Sequence, residues 1–253
     1  MKFTKIFKSF LVVMSLGAIM VSCNDNDDNA WVYYPQYANA LVTTKTATDG
    51  TFFLQVTDNT TMLPCNISKS PFDKEMRALI NYVPVDKELL PNGDLRGCDM
   101  AVKVLWIDSI RTKMPVPDLA ELNDATYGSD CVEIIDDWVT VAEDGYLTLR
   151  FRTVWGGSGK IHYVNLLTGV NPENPYEVEL RHDAQGDVNG EFADALVAFN
   201  LNDLPDTGGQ TVKLKLRWKS YSGEKTHEFD FCSRKPSGGE LPVANMKRIM
   251  PLQ

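Results

Sequence analysis

Residues 145–155 read Gly-Tyr-Leu-Thr-Leu-Arg-Phe-Arg-Thr-Val-Trp, then Gly156-Gly157-Ser158-Gly159, then Lys160-Ile161-His162-Tyr163-Val164-Asn165-Leu166-Leu167-Thr168. Leu147, Leu149, Phe151, Thr153 and Trp155 fall on one parity, and Thr148, Arg150 and Arg152 fall on the other. A period of two with one apolar face predicts a half-buried strand of an antiparallel sheet. The glycine-rich tetrapeptide breaks the run where a hairpin must turn.

Outward from this hairpin the same pattern repeats. Val132–Val141 precedes it, and Tyr176–His182, Ala195–Leu201, Gln210–Lys219 and Lys225–Cys232 follow. With Gly145–Trp155 and Lys160–Thr168 these make seven strand candidates, the count and spacing of an antiparallel β-sandwich over residues 131–235. In the clearest of them Val212, Leu214, Leu216 and Trp218 point one way while Lys213, Lys215, Arg217 and Lys219 point the other. Glu177, Glu179 and Arg181 share the outer parity of Tyr176–His182, so the basic stripe reads as a solvated face with acidic neighbours.

Further upstream, Met114-Pro115-Val116-Pro117 interrupts the pattern, and residues 116–130 read as a linker. Residues 38–115 carry shorter runs at Ala40–Thr46, Thr51–Thr57, Thr61–Cys65, Met76–Val83 and Met100–Lys113. Turn signals at Asp49-Gly50 and Asp58-Asn59 separate the first three, and Lys87–Asp99 is a loop between the last two. Five short strands in this order suit an OB-like barrel. The expected fold is all-β: an N-terminal five-stranded OB-like barrel followed by a C-terminal antiparallel β-sandwich, with a Gly/Pro-interrupted tail at 236–253.

The N-terminus reads as an export signal over residues 1–22. Lys2, Lys5 and Lys8 form a basic start, and Phe10–Val21 is apolar but short for a membrane span. Met20-Val21-Ser22-Cys23 resembles a bacterial lipobox, whose cysteine sulfur carries the lipid as a thioether. Residues 23–37 then form a tether, beginning with the run Asn24-Asp25-Asn26-Asp27-Asp28-Asn29. This acidic run behind the cysteine resembles the surface-export signal of Bacteroidetes lipoproteins. The location it implies is the outer membrane, facing the cell exterior, with a periplasm-facing orientation as the alternative.

Composition narrows the function classes. The chain of 253 residues carries a formal charge of −9, which becomes −12 once Lys2, Lys5 and Lys8 leave with the signal. So acidic a chain lacks the basic footprint of a nucleic-acid binder. If Cys23 is lipidated, Cys65, Cys98, Cys131 and Cys232 remain. Three pairings are open to them; the domain-wise one is Cys65–Cys98 with Cys131–Cys232, and free thiols are the other reading.

No stretch supplies a complete catalytic or metal-binding set, and no cofactor is implied. His182-Asp183 followed by Asp187 is the most site-like cluster. Adjacent strand residues face opposite ways, so His182 reads as a buried histidine at a strand end and Asp183–Asp187 as a turn. Asp206-Thr207-Gly208 has the letters of an aspartic protease signature but occurs once, where that chemistry needs two carboxylates. Asp108-Ser109-Ile110 fits a short O-glycosylation pattern of exported Bacteroidetes proteins, with Ser109 as the acceptor.

Asp137-Trp138, Gly145–Phe151, His162–Leu167, Leu180–Asp187, Ala198–Pro205 and Leu214–Trp218 together resemble the NigD-like lipoproteins of Bacteroidetes. The resemblance covers nearly all of the chain beyond the signal. It implies an N-terminal OB-like domain and a C-terminal β-sandwich, in agreement with the periodicity, and it implies no biochemical activity. The expectation is a non-enzymatic, lipid-anchored binding or accessory module for a protein, peptide or glycan. The competing expectation is a hydrolase of envelope or dietary polymers.

Overall fold

A computed structural model describes residues 38–234. The signal segment, Cys23, the acidic run and the tail lie outside the described residues. Among those described, no helix is long and apolar enough to cross a membrane.

Strands β1 (Ala40–Thr46), β2 (Phe52–Thr57), β3 (Thr60–Pro64), β4 (Met76–Val85) and β5 (Met100–Ser109) close a barrel in the order β1-β2-β3-β5-β4. Alternate residues point inward and fill it with Val42, Phe52, Leu54, Met62, Ala78, Ile80, Val102 and Val104. β3 and β5 run parallel, and Lys87–Asp99 is the connection that brings the chain back to do so.

β6 (Thr112–Lys113) departs from the expected barrel strand Met100–Lys113, and β7 (Val116–Pro117) from the expected linker. β6 pairs with β13 (Glu191–Asn200) and β7 with β11 (Tyr163–Thr168), one strand in each sandwich sheet. The helix α1 (Asn123–Tyr127) follows; Asn123 is buried, its side chain donating to Asp118 at 2.6 Å and accepting from the backbone N–H of Leu119 at 2.9 Å. The two prolines remain compatible with strand because β6 and β7 lie at sheet edges. Residues 116–130 are therefore part of the sandwich rather than a free connector.

The sandwich itself has one sheet ordered β6-β13-β10-β8, with β10 (Tyr146–Trp155) also pairing β9 (Val141–Glu143), and a second ordered β15-β14-β12-β11-β7. Here β8 is Glu133–Ile134, β12 Glu177–Asp183, β14 Val212–Ser220 and β15 Gly223–Phe231. Leu147, Leu149, Phe151, Leu166, Val178, Leu214, Leu216 and Trp218 meet in its core, as their parity predicts. The outer stripe is ion-paired: Lys213 with Asp230 at 2.6 Å, Lys215 with Glu177 at 3.4 Å, and Arg217 with Glu179. The pairing of β12 with β14 is parallel in an otherwise largely antiparallel architecture.

The expected strand Val132–Val141 is broken. Asp137 accepts from Arg150 at 2.7 Å and from the Val139 N–H at 3.2 Å, and the Thr140 hydroxyl donates to the Ile135 carbonyl at 2.6 Å. Side chains that bond local backbone compete with the ladder, and only β8 and β9 survive.

Candidate functional site

β9 and β10 are joined by Asp144-Gly145, whose φ angles are +52° and +72°. Two consecutive left-handed residues make the tight turn that matches strand twist, and Asp-Gly is a preferred pair for it. The turn projects against the barrel, leaving Asp144 only 5% exposed. Its carboxylate accepts from Lys45 of β1 at 2.6 Å and from Arg234 at 3.3 Å, while its N–H donates to Asp58 at 2.6 Å. Arg234 also donates to Glu75 at 2.7 Å and to the Asp144 carbonyl, and Glu75 accepts from the Tyr146 hydroxyl at 2.7 Å.

Tyr146 stands between two cations, with the Arg234 guanidinium 5.1 Å and the Arg77 guanidinium 5.8 Å from its ring centre. Burial, and then the neighbouring Glu75 carboxylate, raise the Tyr146 phenol above its ordinary range, so it stays a donor. Arg77 is fully buried and spans the junction, bonding Thr43 of β1 at 3.0 Å and Thr148 of β10 at 3.3 Å. The parity that put Thr148 on the solvent side of the sandwich thus places it under the barrel. Leu41, Leu79 and Ile110 add an apolar contact to Val139, Leu196 and Ala198 beside this network.

Along the rim of the junction runs a cleft of about 740 Å³. Thr44, Gln55, Asn59, Phe72 and Asp73 line it from the barrel, and Asp144, Thr211, Ser233 and Arg234 from the sandwich. Its volume lies within the roughly 300–1,000 Å³ of small-molecule sites. No histidine lines it among the described residues.

The histidine cluster lies elsewhere, around the C-terminal end of β10. His162 Nδ1 is 2.9 Å from His182 Nε2, and His162 Nε2 is 3.3 Å from an Asp187 oxygen. The carboxylate only accepts, so His162 donates from Nε2 and accepts from His182 at Nδ1 when both rings are neutral. The side chains of His162 and Asp187 are 1% and 6% exposed, and His182 is 1% exposed. Trp155 stacks on His162 with ring centres 3.9 Å apart. Asp187 also accepts from the Gly156 N–H at 2.9 Å; a Cβ on Gly156 would stand 2.3 Å from its other oxygen. The Ser158 side chain, then Gly156 and His162, hold the Asp187 carboxyl below its usual range. Burial, and then the adjacent His162, pull His182 down to about 4. The rings are almost wholly enclosed, and the chain of bonds reads as an internal clamp on the hairpin.

His182 therefore lies buried at its strand end as its parity predicts, and Asp183 faces away, bonding the Gln185 N–H at 2.8 Å. What residue spacing misses is His162, which reaches His182 only through the register pairing Tyr163 with Asp183. Asp206 accepts from Gly208 and Ser233 at 2.9 and 2.6 Å, as an ordinary turn residue does. Ser109 is half-buried at the end of β5, paired with Ala78 and followed by the buried Ile110.

Of the two readings left open for the cysteines, the structure has the free thiols, at Cys65, Cys98, Cys131 and Cys232 alike. Cys98 lies in the turn before β5, buried beside Ala47, Phe53 and Leu63, whereas Cys65 is exposed just past the end of β3. Val132 bonds Lys219, which pairs with Glu224 near one end of β15, whereas Cys232 follows the other end. Eight strand residues separate those positions by roughly 26 Å, far beyond the about 4.4–6.8 Å a disulfide needs between Cα atoms. Burial pushes the Cys98 thiol up to about 11, so it behaves as a small apolar side chain under β2 and β3.

Family models match both halves: the NigD-like N-terminal OB domain over residues 41–110 and the NigD-like C-terminal β-sandwich domain over residues 114–231. The chain belongs to the NigD-like family. Among solved structures, a protein designated toxin related from Parabacteroides distasonis ATCC 8503 is 30% identical at a TM-score of 0.61, covering 77% of this chain and 92% of that one. A Bacteroides vulgatus ATCC 8482 protein of unknown function is 19% identical at a TM-score of 0.60, with coverages of 82% and 95%. A NigD-like immunity protein from Bacteroides caccae ATCC 43185 is 22% identical at a TM-score of 0.51, with coverages of 75% and 90%. No curated protein matches the chain. The last two structures speak to the NigD-like fold alone, and the family boundary at residues 110–114 places the former linker with the sandwich.

Proposed function

We propose that this NigD-like chain is a lipid-anchored envelope protein, held to the outer membrane through Cys23 and facing outward, that works by binding a protein, peptide or glycan. The observation that carries the reading is the junction cleft. It is large, open and built from both domains, and its buried charges already neutralise one another. A hydrolase of polymers would need an activated nucleophile or a poised acid and base, whereas Asp144 and Glu75 of the cleft are held in ion pairs with Lys45 and Arg234 and the histidine–aspartate chain lies outside it. An immunity-type or accessory role, suggested by the designation of the Bacteroides caccae relative, would be one form of the same binding behaviour.

The lipobox-like Met20–Cys23 and the acidic Asp25, Asp27 and Asp28 support the anchor and its outward face. Metabolic labelling with a fatty-acid analogue is expected to mark the wild type and not Cys23→Ala. External protease should digest the wild type on intact cells, and replacement of Asp25, Asp27 and Asp28 by alanine should restore protection without loss of label. Equal labelling of wild type and Cys23→Ala would remove the anchor from the account, and full protection of the wild type would turn the protein toward the periplasm.

A further inference from the structure

The junction cleft has a chemical character that selects among ligands. Lys45 and Arg234 are the basic groups set deepest in it, and both are committed: Lys45 to Asp144 at 2.6 Å, and Arg234 to Glu75 at 2.7 Å and Asp144 at 3.3 Å. Across the whole lining, Lys45, Lys74 and Arg234 face Asp58, Asp73, Glu75 and Asp144, three cations against four carboxylates. An anionic ligand would meet a slightly negative surface with its best cations already paired, so phosphate, sulfate and uronate chemistry is disfavoured.

The groups left over are of another kind. Among the described residues, the Asn59 side-chain amide and the Asp73 carboxylate bond to no other group, and both border the cleft. Gln55 spends its amide N–H groups on the carbonyls of Thr57 and Thr60, at 2.8 and 3.4 Å, and keeps its oxygen for an incoming donor. Thr46 and Thr211 also line the cleft, and Phe72 offers a half-buried ring at the wall. A planar amide both accepts and donates and a carboxylate accepts through two oxygens, as neighbouring hydroxyls on a sugar ring require, and an aromatic wall supports the ring's C–H face. A peptide would call for an unpaired strand edge or apolar side-chain pockets, yet β1 and β2, which form this wall, are each paired on both sides within the closed barrel.

We propose that the junction cleft is a binding site for a neutral, hydroxyl-rich ligand, a short uncharged oligosaccharide segment, held by Asn59, Asp73 and Gln55 with Phe72 against its face. This rests on the binding reading above and names the ligand class for it. Carboxylate–hydroxyl bonds are charge-assisted, each contributing an amount that converts to about a tenfold change in affinity.

The test uses the mature chain with soluble probes: malto-, cello-, manno- and xylo-hexaose as neutral glycans, oligogalacturonate as an acidic one, and a lysine-rich peptide. Amide shifts are followed by two-dimensional NMR at millimolar probe. At least one neutral hexaose is expected to move the amides of Asn59, Asp73 and Ser233. Asn59→Ala and Asp73→Ala should each weaken that binding about tenfold. Both substitutions lie in loops, and an unchanged melting temperature confirms that the fold is intact. If only oligogalacturonate or the peptide moves the cleft amides, the glycan assignment is overturned while the binding reading stands. If the neutral probes bind with cleft amides unmoved, or bind nowhere, the assignment is likewise overturned. Cleavage of a bound probe would instead overturn the binding reading itself.

Discussion

Between pH 6.5 and 4 the protein is expected to lose about 3 kcal/mol of folding stability through His182 alone. In the folded state burial and the neighbouring His162 lower its pKa from 6.5 to about 4, whereas an unfolded chain titrates at the ordinary value. The sign follows directly. Above pH 6.5 the ring is neutral in both states and makes no difference. As pH falls below 6.5 the unfolded chain takes up a proton that the folded chain refuses, and the unfolded state gains until the folded pKa is reached. The structural cause is visible: His182 already donates from Nε2 toward His162, so a second proton would sit on buried Nδ1, which has no well-aligned acceptor. His182→Gln, which does not titrate, is expected to be less stable by about 1–3 kcal/mol at pH 7, and to lack this acid loss. Chemical denaturation of both proteins at intervals from pH 7 to 4 checks it. Parallel curves would show that His182 is not held neutral.

Asp144→Ala is expected to cost about 3–5 kcal/mol, because it strips the shared carboxylate from Lys45 and Arg234 where both are mostly buried. Alanine would also sit at a φ of +52°, a conformation costing L-residues without a compensating side chain about 1–2 kcal/mol. Asp144→Gly removes that strain and isolates the loss of charge. Asp144→Asn keeps an acceptor and tolerates the backbone, so it should fall least. Urea midpoints of the three variants should therefore rank asparagine above glycine above alanine. An unfolding free energy for Asp144→Ala within about 0.5 kcal/mol of the wild type would mean that the barrel and sandwich do not depend on this turn.

These two residues also mark the limits of what the chain discloses locally. The core positions Leu147, Leu149, Phe151, Leu214 and Leu216 are legible because burial on one sheet face imposes a period of two that needs no partner to be seen. Thr148 and Arg77 escape the same reasoning, since the barrel covers the outer parity of β10 and buries a guanidinium that composition alone would place in water. Asp144-Gly145 is a turn signal readable from its letters, but its insertion between Lys45 and Arg234 depends on how two domains meet. The same holds for the cleft, whose walls come from residues 44–75 and 144–234. The prolines around 115–117 misled for a converse reason: a break in periodicity also occurs where a chain runs along two sheet edges in succession.

The claim that this protein binds at its domain junction and performs no chemistry there is tested most directly by following a bound polymer over time. The mature chain would be incubated at micromolar concentration with the neutral oligosaccharide that it retains most strongly, and the mixture resolved by chromatography over a day. The account predicts a complex from which the oligosaccharide is recovered at its original length. Shorter products formed by the wild type and lost in Asp73→Ala would contradict it and place a hydrolase at the junction.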